Sequence, residues 1–199
     1  MAGWLGSLGE RNLMEWQLLF LSVAPVFAYV ALWASGRPRA GIVAAIVVAA
    51  AELIFNSLRL GFIEPFSLLS LGLFATLGAW SIAVEDDRPF KLQPVLFELC
   101  CAAALVYYLS ILETPLLAVV LEDYVRLHDV LDPYQRGYAT VYATTLSRSL
   151  PFVLALHAAI TAYVAWTRST WWWFSVRVLG FYLMVGLLFV GERLMGVTP

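Results

Sequence analysis

The stretch FSLLSLGLFATLGAWSIAV, residues 66–84, carries no charged residue. A helix of about 20 apolar residues, rising 1.5 Å per residue, crosses a hydrocarbon layer of about 30 Å. Inside lipid the backbone must satisfy its own hydrogen bonds, so such a run folds as a helix. Similar runs occur at 16–33, 42–60, 94–112, 150–166 and 173–190, giving six expected spans. Hydrophobic residues make up 62% of the chain, against about 45–50% in an ordinary soluble domain. The expectation is an all-α polytopic membrane protein, a single integral-membrane domain over residues 1–199.

Three connections, ASGRPRAG, EDDRPFKLQ and TRST, are short and imply tight helical hairpins. The long connection, residues 113–149, begins with apolar Leu117, Val120, Leu121, Tyr124 and Leu131 on one helical face. Glu122, Arg126 and Asp129 lie on the other. That pattern predicts an interfacial amphipathic helix over about 115–131, stopped at Asp132-Pro133. TWWWFS opens the last span, where tryptophans suit the headgroup layer. The N-terminus lacks the basic n-region and cleavage site of a signal peptide, so the first span is expected to stay. Six basic residues fall on each side of the spans, so charge does not set the sidedness. A net charge of −2 argues against nucleic acid as a partner.

The densest charge is EDDRPFK, residues 85–91. It reads as the hydrated turn of the middle hairpin, with Arg88 and Lys91 snorkelling to lipid phosphates. A metal–diphosphate site on Glu85, Asp86 and Asp87 is the rival. Consecutive carboxylates converge poorly on one ion, unlike carboxylates one helical turn apart. Pro94 suits the first turn of the next helix.

Gly78, Asp86-Asp87, Lys91 and Pro94 together resemble the hairpin of the intracellular septation protein A family of bacterial inner-membrane proteins. WFSVRVLG, with Trp173 and Gly180, resembles a segment of that family's last span. Gln93, Ser175 and Arg177 depart from its pattern. The resemblance implies a multi-pass protein of the bacterial inner (cytoplasmic) membrane, tied to septation, envelope integrity and membrane homeostasis. It implies the lipid bilayer and cell-division or elongation membrane proteins as partners, and no catalytic reaction.

Charge inside a span marks a clamp or a path, because an unpaired charge there costs several kcal/mol (about 2.5–3.5 on insertion scales). Glu52 lies near the middle of the second span, with Asn56 and Arg59 on the same face. The stripe reads as an interhelical clamp, or as a proton or substrate relay. Glu98 and Arg177 sit at similar shallow depth in the fourth and sixth spans and read as a pair across the bundle, with a snorkelling Arg177 and a Glu98 held by the helix N-terminal dipole as the equal alternative. His157, mid-span, reads as a hydrogen-bonded structural residue, with a proton path to Glu52 as the alternative. His128 and Asp132 read as a solvated face. Adjacent Cys100 and Cys101 point about 100° apart, unlike a disulfide or metal pair. With no HExxH, GxSxG, Walker A or CxxC motif, neither a cofactor nor a metal is expected, and no catalytic residue is assigned. The leading reading is a non-enzymatic envelope protein acting through membrane-protein and lipid contacts. The alternative is a small transporter or lipid-handling protein with its polar path around Glu52. An oligomer is left open.

Overall fold

The computed structural model describes residues 24–63, 65–119, 133–184 and 186–187. Within them every regular element is helical, and the protein is all-α and polytopic. The elements are α1 (Ala24–Ala34), α2 (Pro38–Leu60), α3 (Pro65–Val84), α4 (Arg88–Lys91) and α5 (Gln93–Ser110). They continue with a helical turn at 116–119, α6 (Pro133–Thr167) and α7 (Thr170–Ser175). α7 runs on through a π-helical turn, Val176–Gly180, into a further helical stretch at 181–184. Four segments are long and apolar enough to cross a membrane: Pro38–Leu58, Pro65–Val84, Arg88–Ser110 and Thr140–Thr167. The expected first and sixth spans lie partly outside the described residues. So does most of the expected interfacial helix, of which only the turn at 116–119 is described.

These helices present large apolar side chains outward, among them Leu58 (79% exposed), Phe152 (78%) and Leu187 (69%). Water would penalise that surface, whereas hydrocarbon accepts it. By contact the chain divides into two compact units, Met1–Gln93 and Pro94–Pro199.

In the first unit, Gly36 takes the left-handed conformation (φ 76°) that ends α1. Its N–H donates to the Trp33 carbonyl and that of Arg37 to Leu32 (both 2.9 Å). Pro38 then opens α2, where its missing N–H costs nothing. α1 and α2 pack so closely that a Cβ on Gly41 would stand 2.8 Å from the Tyr29 carbonyl oxygen. α2 and α3 form an antiparallel pair joined at one end by Gly78 against Ile42 and Ile46. At the other end the Asn56 amide donates to Ser67 Oγ (2.9 Å). Phe90 of α4 is 1% exposed and stacks between Tyr29 and Phe74, with ring centroids 4.6 and 5.5 Å away.

In the second unit, Ala102 and Leu105 of α5 pack with Leu154 of α6, flanked by Leu116, Leu117, Leu150 and Phe181. α6 begins at Pro133, well before residue 150 where the apolar run starts. Thr144, Thr145, Ser147 and Ser149 each donate a hydroxyl to the carbonyl four residues back, at 2.8–3.2 Å. Bonded in this way the hydroxyls need no partner outside the helix, at the cost of a slight bend. The sequence reads this stretch as a connection because that bonding is invisible in composition. Ser147 Oγ also accepts the Leu117 N–H (3.2 Å), capping the turn at 116–119.

Candidate functional site

Two polar clusters lie among the apolar helices, one in each unit. The first is the charged stretch 85–91. Its three carboxylates diverge to different partners instead of meeting at one ion. Glu85 pairs with Arg39 (2.6 Å), both well exposed. Asp86 accepts the Arg88 N–H (2.9 Å). Asp87 Oδ2 accepts from Tyr29 Oη (2.6 Å) and pairs with Lys91 Nζ (2.9 Å). Among the described residues no three His, Cys, Asp or Glu side chains gather as metal ligands would.

Lys91 corrects the expectation of a snorkelling cation. It is 4% exposed. The single turn of α4 folds it inward onto Asp87, i to i−4, and so keeps its charge paired where lipid and water are excluded. The turn is held by Ser81 Oγ, which accepts the Phe90 N–H (2.7 Å) in a buried setting. Pro94 is fully buried in the first turn of α5.

The second cluster joins three helices. Glu98 on α5 is 3% exposed and His157 on α6 is 1% exposed. Glu98 Oε2 lies 2.8 Å from His157 Nδ1, and Glu98 Oε1 accepts from Arg177 Nη1 at 3.1 Å. His157 Nε2 lies 3.0 Å from the Val176 carbonyl. That carbonyl sits at the start of the π-helical turn, where the bonding pattern widens. A carbonyl oxygen only accepts, so Nε2 carries a proton. Nδ1 then faces a carboxylate oxygen, and the 2.8 Å contact requires a second proton between them. Whichever atom holds it, Glu98, His157 and Arg177 together carry one net positive charge.

The other residues singled out by sequence are placed as follows. Glu52 is half-buried on α2, and Asn56 is bonded to Ser67. The Arg59 side chain, His128 and Asp132 lie outside the described residues. Both ring nitrogens of His157 are taken, one by Glu98 and one by the Val176 carbonyl. Trp171 and Trp172 are exposed, but Trp173 is 1% exposed and belongs to the core, not to a headgroup belt. It follows Trp172 by one residue and Trp171 by two, about 100° and 200° round the helix, which turns it away from both outward rings. Sequence reasoning missed Tyr29 and Ser81. Neither has a local signal, because their partners lie 58 and 9 residues away.

Gly78 and Gly180 differ in the room around them. A Cβ at Gly78 would stand 2.9 Å from both Ile42 Cγ2 and Ile46 Cδ1, whereas one at Gly180 would stand 3.5 Å from His157 Nε2. Gly78→Ala is therefore expected to cost about 1–3 kcal/mol by overpacking. Gly180→Ala should stay within about 1 kcal/mol, the helix-propensity difference. Thermal melts of the two variants in detergent check the contrast.

Neither curated proteins nor solved structures match the chain. The family described as intracellular septation protein A matches residues 17–195. That range takes in Gly78, the turned-in Lys91 and Pro94 of the first unit. It also takes in Glu98, His157, Trp173 and Gly180 of the second, so both polar clusters fall within it. The chain belongs to the intracellular septation protein A family.

Proposed function

We propose that this septation-family membrane protein supports cell-envelope integrity and membrane homeostasis in the bacterial inner membrane, without catalysing a reaction, by contacts with other membrane proteins and with lipid. The observation that carries this reading is the family match over residues 17–195. The polar groups fit it: Asn56–Ser67, Tyr29–Asp87–Lys91 and Glu98–His157–Arg177 each tie helices together. Satisfied polar contacts between helices are a known source of membrane-bundle cohesion, about 0.6–2 kcal/mol each.

Complementation tests this against a polar path around Glu52. The gene is deleted in its host, and cell length, septum placement and detergent sensitivity are scored. Wild type or Glu52→Gln is then restored at matched membrane levels. Glu52→Gln is expected to restore all three phenotypes. Failure of a folded, membrane-inserted Glu52→Gln protein would shift the reading to transport or lipid handling.

A further inference from the structure

Three helices meet at one imidazole ring. His157 of α6 faces Glu98 of α5 through Nδ1 (2.8 Å) and the Val176 carbonyl, at the π-helical turn after α7, through Nε2 (3.0 Å). The two contacts need two protons, one on Nε2 and one between Nδ1 and the carboxylate. A neutral imidazole carries only one. The residue is 1% exposed, and Gly180 and Phe181 lie against the ring, so water does not replace a lost partner. When one proton leaves, one of the two contacts must open. Bond strength decides which. A hydrogen bond to a charged group is about twice as strong as one between neutral groups. Glu98 is also anchored by Arg177 (3.1 Å). The remaining proton therefore goes to Nδ1, and Nε2 is left bare against a carbonyl oxygen. Two acceptors at that distance repel.

We propose that the Glu98–His157 pair is a proton-operated latch between α6 and the π-helical turn, closed while the pair holds both protons and open at the Val176 carbonyl once one leaves. A proton reaches such a pair through brief local opening and needs no cavity. Few other charged or titratable groups surround it among the described residues. Arg177 comes from the π-helical turn, Tyr182 from the helical stretch after it, and Cys101 from one turn past Glu98 on α5. The adjoining turns of α6 and the turn at 116–119 bring none. The latch goes beyond the septation reading and does not depend on it, because it is read on purified protein and complementation on cells.

The test uses the full-length protein in dodecyl maltoside with isotope-labelled histidine. The chain has two histidines, so His128→Gln leaves His157 as the one labelled ring and serves as the reference chain. Nitrogen NMR shifts tell a protonated ring nitrogen from a bare one. Between about pH 5 and about pH 10, the reference chain is expected to pass from two protonated nitrogens to one, with the proton kept on Nδ1. Glu98→Gln in the same chain should reverse the tautomer. Its amide offers an N–H to Nδ1 and an oxygen to Arg177, so a neutral ring satisfies both contacts with its proton on Nε2. Stability gives a second readout. The closed latch holds a proton that the histidine of an unfolded chain lacks above about pH 6.5. The reference chain should therefore lose stability as pH rises, its unfolding constant growing by up to about tenfold per pH unit. Glu98→Gln should flatten that slope, and Arg177, Tyr182 and Cys101 are common to both chains. A bare Nδ1 in the reference chain at high pH, two protonated nitrogens throughout, or equal slopes in the two chains would overturn the proposal. Should Glu98→Gln lose its helical circular dichroism, the tautomer of the reference chain alone decides.

Discussion

Replacing Glu98 by alanine is expected to lower the stability of the folded protein by about 3–5 kcal/mol, the usual cost of breaking a buried ion pair from one side. The substitution removes the carboxylate that meets both His157 (2.8 Å) and Arg177 (3.1 Å). It leaves the guanidinium without its counter-charge and Nδ1 of a histidine that is 1% exposed without its partner. Alanine at Arg177 in the same chain should recover part of the loss, because the stranded cation goes with it. The two substitutions are coupled through one contact, so their combined cost should fall short of the sum. Reversible unfolding in mixed micelles, measured for wild type, both single variants and the double variant, gives the coupling. Strict additivity would mean that the pair does not act as a unit in the folded protein.

The second large effect is expected at Asp87. Asp87→Ala removes the carboxylate that pairs with Lys91 Nζ at 2.9 Å, on a side chain that is 6% exposed, and up to about 3–5 kcal/mol should be lost. The reverse substitution is milder. Lys91→Met fills the same space with an apolar chain and leaves Asp87, 22% exposed, still bonded to Tyr29. On a Lys91→Met background, Asp87→Ala should therefore cost only about 1.5–3 kcal/mol, the worth of one hydrogen bond to a charged group. The same unfolding measurement checks this asymmetry. Equal costs of Asp87→Ala on both backgrounds would show that Lys91 finds another partner or reaches water.

Much of the helical layout was legible in the sequence because lipid imposes a length and an apolar composition together. Residues 66–84 had no other reading, and α3 covers them. The short ASGRPRAG connection read as a tight hairpin, and Gly36 and Pro38 within it form the turn. The reading of Glu98 and Arg177 as a pair came from their equal depth, which can be counted along two helices. What could not be counted was a third partner. His157 lies 59 residues from Glu98, and nothing in its own neighbourhood marks which helix it faces. Lys91 was misread for a different reason. A lysine in a charged run ordinarily lies in water, and only the one-turn α4, anchored by Phe90 and Ser81, turns it inward. The early start of α6 was hidden by serine and threonine, whose hydroxyls are satisfied within the helix itself.

The π-helical turn at Val176–Gly180 has a consequence for how the last helix meets its neighbours. Such a turn accommodates one residue more than an α-turn, which rotates everything after it by about 100°. A hydrophobic seam drawn with a constant period through α7 therefore changes azimuth partway along. Before the turn, Trp173 occupies the inner seam; after it, Phe181 does, edge-on to His157 with centroids 5.6 Å apart. The extra residue works like a vernier offset between two scales. It lets one continuous helix serve two differently phased surfaces, with the Val176 carbonyl turned towards histidine at the point where they change over.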